Sequence, residues 1–339
     1  MSFARSYWPV LSRTEGVAVD QAVRGALAQS LKFCVTQAAD QIAYDDDRLQ
    51  ALLLQIESGP ARPAVFGIYT DLVESLSSNE LARLGTLPQS LFDIEPPGDG
   101  IRIVSLTDEE LGAGQAERYA RLINDDPDRR YDLRPLGQQY PEAQARVSDA
   151  LQLLDDGVPE LAQEIRGLVR ELVVVTDAAS AGTASLSFDG ASTFYLWGAV
   201  FLNVGQGTRL DLAQAIAHES AHLLLFGLMM GQPLTENEVT ERYASPLRQD
   251  PRPMEGVVHA AYVLARMSYT LERLLESELL SPEEQARARR DLLLHSRRFS
   301  DALPVIMRHG RFKPQADAVF GGAVEFMARH NKEPKQAIA

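Results

Sequence analysis

His218-Glu219-Ser220-Ala221-His222 is the stretch of this chain whose residue types and spacing could do chemistry. In an α-helix, residues four apart stack on one face, so His218 and His222 point their imidazoles the same way, spaced to bind one divalent ion. Glu219 stands beside the first histidine, near the ion but off the ligand axis. There it can take a proton from metal-bound water or hold a ligand in place. The flanks, Ala215-Ile216-Ala217 and Leu223-Leu224-Leu225-Phe226, are apolar, which predicts a buried helix. Burying two imidazoles without partners is costly. A metal ion is the expected partner, and backbone groups are the plainer alternative.

Two protein ligands rarely suffice, so a third is expected. A metzincin arrangement is excluded, because Leu225 and Leu228 stand where its glycine and third histidine would fall. The next candidates lie on a helix beginning near Glu255. There Glu255, His259, Tyr262 and Arg266 form one polar stripe on an otherwise apolar helix. His259 is the expected third ligand, with Glu255 in reserve. A stripe facing solvent is the competing explanation. Glu236, Glu238 and Glu241 are further alternatives, in a polar segment that reads as an exposed loop or helix start. His295, His309 and His330 lie among basic and polar residues and are expected at the surface.

Between the two helices stands Tyr243-Ala244-Ser245-Pro246-Leu247-Arg248-Gln249-Asp250-Pro251-Arg252-Pro253. Its prolines stiffen the segment. Arg248 and Arg252, held rigidly beside a metal, could clamp a carboxylate through paired hydrogen bonds. A rigid surface linker with solvated arginines is the alternative.

These features together resemble the H-E-x-x-H proteins found with ribosomally synthesised, post-translationally modified peptides. The resemblance covers the strand Gly198-Ala199-Val200-Phe201-Leu202-Asn203, His218-Glu219-x-x-His222, Ser245-Pro246-x-Arg248-x-Asp250-Pro251-Arg252-Pro253 and Gly256-x-x-His259. It implies an iron(II), 2-oxoglutarate-dependent dioxygenase that hydroxylates the β-carbon of a residue in a precursor peptide. His218, His222 and His259 would hold iron, and Arg248 or Arg252 would grip 2-oxoglutarate. Glu219 would then orient a ligand instead of acting as a base. Three histidines depart from the usual two-histidine, one-carboxylate set for such iron, which Glu255 in place of His259 would restore. The runner-up is a zinc peptidase with Glu219 as general base and zinc-bound water as nucleophile. A third reading is a non-catalytic, metal-containing binding protein.

The elements that must position these residues are mostly helical. Apolar spacing predicts helices over 17–39, 49–56 and 66–76, with a short one after Ser78-Asn79-Glu80. Pro96-Pro97-Gly98-Asp99-Gly100 marks a boundary between a helical N-terminal subdomain, 1–100, which could receive the peptide, and a catalytic domain, 101–339. Beyond it, 101–106 alternates as a strand, Thr107-Asp108-Glu109-Glu110 caps a new helix, 125–140 is an exposed loop, and 141–154 and 159–169 are helices opened by proline. Leu172-Val173-Val174-Val175 reads as a buried strand, with further strands over 184–188 and 194–202 around Asp189-Gly190. Long helices follow over 210–230 and from 255 onward. The expected class is α+β, mostly helical, with a small sheet packed beside a zincin-like metal-binding helix.

The chain has 339 residues, 45% of them hydrophobic and 24% charged, which is ordinary for a globular protein with a sizeable core. Its net charge of -14 would repel phosphate backbones, so no nucleic-acid partner is expected, whereas a basic or neutral peptide, or a small molecule held in a locally basic pocket, suits it. The lone Cys34 cannot form an internal disulfide and reads as a small buried hydrophobe. No signal-peptide pattern and no apolar run of roughly 18 residues occurs, so a cytoplasmic protein without a membrane partner is expected.

Overall fold

A computed structural model describes residues 8–40, 42, 44–78, 80, 86–124, 130–177, 189–205, 207–245 and 250–330. In chain order the helices and strands are α1 (Arg13–Gln37), α2 (Asp46–Ser58), α3 (Pro63–Ser78), α4 (Leu87–Phe92), β1 (Arg102–Ser105), α5 (Asp108–Leu111), α6 (Gln115–Leu122), β2 (Leu133–Arg134), α7 (Tyr140–Gly157), α8 (Pro159–Leu168), β3 (Glu171–Asp177), β4 (Gly190–Ala191), β5 (Ala199–Asn203), α9 (Arg209–Met229), α10 (Met254–Glu276), α11 (Pro282–His309) and α12 (Gly322–His330). Helices make up 66% and strands one small mixed sheet, so the class is α+β. No helix among the described residues is long and apolar enough to cross a membrane.

The chain divides into two compact units, each built from separate segments. The first comprises Met1–Arg13, Asp149–Ile165 and Arg209–Ala339, and the second Thr14–Ser148 and Arg166–Thr208. The boundary expected at residue 100 falls inside the second unit, where Pro96 to Gly100 is only the loop between α4 and β1. The strands all belong to the second unit and the H-E-x-x-H helix α9 to the first.

The second unit is organised by β3. Strands β1, β3 and β5 run parallel, in the order β1-β3-β5-β4, with β4 antiparallel on β5 and β2 antiparallel on the end of β3. Leu172, Val173, Val174 and Val175 are fully buried, as a central parallel strand covered on both faces requires. Val173 and Val175 pack with Val104, Tyr119, Leu122 and Phe201. The strand expected over 194–202 starts later, at Ala199. Thr193 caps a 3-10 turn, Phe194–Leu196, by accepting the Tyr195 N–H, and Gly198 follows at φ +88°, a conformation that a β-branched residue would resist. The strand expected over 184–188 and the short helix after Glu80 lie outside the described residues. Asp45 caps α2, accepting the Arg48 N–H at 3.1 Å. Cys34 is only half-buried, and that burial pushes its thiol pKa up, away from thiolate chemistry.

One buried carboxylate ties this unit together. Glu171, the first residue of β3, is 1% exposed and accepts from Arg62 Nε (2.9 Å), Arg102 Nη1 (3.2 Å) and Tyr119 Oη (2.8 Å). It thereby joins the start of α3, strand β1 and helix α6 to the central strand. Glu171→Ala leaves Arg62 buried without its counter-charge and is predicted to cost about 3–5 kcal/mol in urea unfolding. Glu171→Gln keeps an acceptor for Tyr119 and is expected to cost less.

Candidate metal centre

In the first unit, α9 is buried along most of its circumference: Leu212, Ala213, Ile216, Ala217, Ala221, Leu223, Leu224 and Leu225 are all within 2% of full burial. His218 and His222 are half-buried on one face, and Glu219 is 5% exposed. The His218 and His222 Nε2 atoms are 3.2 Å apart, with ring centroids at 4.9 Å. Two nitrogens bound to one ion at about 2.1 Å, at tetrahedral or octahedral angles, lie roughly 3.0–3.4 Å apart. The pair is therefore spaced to share an ion. Glu219 Oε1 is 3.7 Å from His218 Nε2, so its carboxylate borders the same point.

Helix α10 brings His259 close without completing the set. Its ring centroid is 6.0 Å from that of His222, whereas imidazoles on one ion have centroids about 4.5–5.3 Å apart. His259 Nε2 is instead 3.1 Å from Met229 Sδ and 3.4 Å from Glu255 Oε1. Among the described residues, no three His, Cys, Asp or Glu side chains are placed to hold an ion together. Phe226 stacks on His222 and stands 5.9 Å from His259 by ring centroids, and Met267 Sδ meets His218 Nδ1 at 3.2 Å. An aromatic ring and two thioethers thus wall the imidazoles. Nothing in the motif points to them.

Glu255 is held by other partners. Its oxygens accept the Leu234 N–H (3.0 Å), the Thr235 N–H (3.0 Å) and the Thr235 hydroxyl (2.9 Å). Burial raises its pKa, but His259 and these donors lower it further, and the net value lies below the ordinary carboxylate range. A carboxylate so occupied orients its neighbouring histidine better than it ligates an ion.

The polar stripe of α10 has two halves with different reasons. Glu255 and His259 border the imidazoles, whereas Arg266 is 1% exposed and paired with the fully buried Glu164 of α8. Glu164 also accepts the Leu11 N–H at 2.6 Å, and Arg266 donates to the Pro9 carbonyl. Tyr262 is buried between these halves, with the Trp8 ring 5.8 Å away and its own pKa pushed up by burial to about 12. The stripe does not face solvent.

The segment 231–253 is stitched down at several points. Thr235 bridges to Phe312, the Asn237 side chain accepts the Arg311 N–H (2.8 Å), and Glu241 accepts from Arg311 (2.8 Å) and Tyr243. The Arg311 hydrogen bond, first among several, holds Glu241 down at about 2, so it is engaged here and not at the histidines. Tyr243 and Arg252 exchange backbone hydrogen bonds of 2.8 Å. That bridge places Arg252 at the base of the proline segment. Its side chain runs over Gly256, where an added Cβ would sit 3.5 Å from Arg252 Cβ, and Gly256 is one turn before His259. Arg252 Nη1 is also 3.6 Å from Asp250 Oδ2. Arg248 lies outside the described residues.

His295 is not at the surface, contrary to expectation. It is 5% exposed on α11, and burial pushes its pKa down to about 4, so it is uncharged at neutral pH. Its charged sequence neighbours conceal a core stripe of Ala288, His295, Phe299, Ala302 and Ile306, which helical periodicity alone would have revealed. His309 is exposed, with its ring 5.4 Å from that of Tyr243.

His218→Ala and His222→Ala are each predicted to abolish stoichiometric binding of a divalent ion while leaving the far-UV spectrum unchanged. Full occupancy of the double variant in elemental analysis would contradict the site. His259→Ala should lower metal affinity with little change in stability. Glu255→Ala should lower stability by about 1–3 kcal/mol, because it orphans the buried donors at Leu234 and Thr235. Calorimetric titration beside thermal unfolding separates the two effects. No protein-family model matches the chain, and no curated protein matches it.

Proposed function

We propose that the chain is an iron(II), 2-oxoglutarate-dependent dioxygenase that hydroxylates a side-chain β-carbon in a ribosomally made precursor peptide. The observation that carries this reading is the juxtaposition at the start of α10. The backbone of Arg252 is fixed by the Tyr243–Arg252 bridge and its side chain runs over Gly256, one helical turn before His259, whose ring neighbours the ion-spaced pair His218 and His222. A metal beside a rigidly held guanidinium suits a small acid that chelates the metal at one end and presents a carboxylate at the other.

His218 and His222 would hold iron, and His259 would supply the third nitrogen when its ring turns from Met229. Glu255 keeps that ring oriented through their 3.4 Å contact. The zincin-like helix thus serves as a scaffold for redox chemistry. Iron with 2-oxoglutarate supplies dioxygen activation: the oxoacid becomes succinate and carbon dioxide, one oxygen atom entering succinate and the other the peptide. Met229, Met267 and Phe226 wall the imidazoles and limit water's access to them. Glu219 orients His218 or a water beside it.

A zinc peptidase is the second reading, favoured by one observation. Glu219 is buried 3.7 Å from His218 Nε2, a position from which a general base could act on metal-bound water.

Anaerobically loaded protein given iron(II), 2-oxoglutarate and the peptide, and then exposed to dioxygen, is expected to form succinate and a product heavier by one oxygen atom, with zinc inhibitory. Arg252→Ala should weaken 2-oxoglutarate binding by roughly ten- to a hundred-fold, the equivalent of a charge-assisted bond of about 1.5–3 kcal/mol. Arg252→Lys should restore only part, because an ammonium cannot form the planar fork. Arg248→Ala is the companion variant. Unchanged affinity in both, with peptide cleavage by the zinc-loaded protein, would favour the peptidase.

A further inference from the structure

Three side-chain contacts set the register of α9 against α11. Arg209 Nε meets Glu284 Oε1 at 2.7 Å, Arg287 Nη2 meets Asp211 Oδ1 at 3.3 Å, and Gln214 Nε2 meets Asp291 Oδ2 at 3.2 Å. The contacts advance along both helices together, so α9 and α11 run parallel. One turn beyond Gln214 is His218, and one turn beyond Asp291 is His295. Carried one turn further, that register brings His295 to the level of His218 along the two helix axes. Both helices belong to the first unit.

His295 is more than nine-tenths buried, yet its Nδ1 has no hydrogen-bond partner among the described residues. A buried nitrogen left unpaired costs stability, so such a group calls for a partner such as a water, an ion or a ligand. It stays uncharged, so it can donate or accept a single hydrogen bond without bringing a second cation to the ion.

We propose that His295 is a ligand-binding residue of the metal centre: its imidazole hydrogen-bonds a carboxylate oxygen of the small acid that occupies the ion held by His218 and His222. This inference rests on the reading of those histidines as metal ligands and names the group that receives the acid. It makes His295 neither a further ligand nor a filler of the core.

The test uses full-length protein loaded with cobalt(II), titrated with 2-oxoglutarate and, separately, with acetate, and followed by the visible cobalt spectrum. Wild type is compared with His295→Ala, His295→Leu and His295→Gln, with cobalt content measured in each. Cobalt should remain stoichiometric in all four, and both acids should bind about ten-fold or more weakly to His295→Ala and His295→Leu. His295→Gln, which can still donate, should recover part of the affinity. His295→Leu should be at least as stable as wild type, because it removes the unpaired nitrogen, whereas a residue kept for structure would lose stability there. Equal affinities across the variants, or loss of cobalt from His295→Ala, would overturn the proposal. If wild type takes acetate but not 2-oxoglutarate, the oxygenase reading fails, and the acetate ratio between wild type and His295→Ala still decides the role of His295.

Discussion

The burial of α9 is the constraint on which the candidate site depends. A helix with Leu, Ile and Ala around most of its circumference leaves one face where polar side chains can stay partly wet, and His218 and His222 occupy it. Each further element near that face answers a need created by it. Met229 and Met267 offer sulfur, a weak acceptor, to imidazole nitrogens that water reaches poorly. Phe226 covers one ring with its face. Glu255 fixes the third imidazole and, through Leu234 and Thr235, anchors the chain that leaves α9.

Each unit also contains a buried carboxylate that gathers donors from several elements. In the second unit, Glu171 gathers two arginines and a tyrosine at the first residue of the central strand. In the first, Glu164 gathers Arg266 and the Leu11 amide, so that α8, α10 and the segment near Leu11 share one anchor. A buried ion pair adds little net stability over well-packed apolar groups, but losing one partner is severe. Such pairs therefore fix which helix faces which, and His259 of α10 inherits its orientation from Arg266 two turns away.

The H-E-x-x-H pair was legible because its geometry follows from helix periodicity alone, and the apolar flanks told of burial. The central strand was legible for the same reason, as four consecutive aliphatic residues. What escaped depends on contacts distant in sequence. Arg266 looked like part of a metal stripe because its partner, Glu164, lies on another helix. Glu255 looked like a spare ligand because only the folded 231–253 segment brings Leu234 and Thr235 to it. His295 was misjudged for a different reason: its arginine-rich neighbours along the chain conceal a helical stripe that points inward. The late start of β5 reflects local turn chemistry at Thr193 and Gly198, which an apolar run hides.

The bridge between Tyr243 and Arg252 separates what must stay from what is free to change. Its two backbone hydrogen bonds close the intervening segment into a loop whose ends are fixed whatever lies between them. Closure entropy grows slowly with loop length, by about 0.6 kcal/mol for each doubling, so residues can be inserted or exchanged there at small cost. Arg252 stands at the end of that loop and keeps its position on Gly256. Substitutions between the two ends of the bridge would therefore leave the backbone position of Arg252 unchanged.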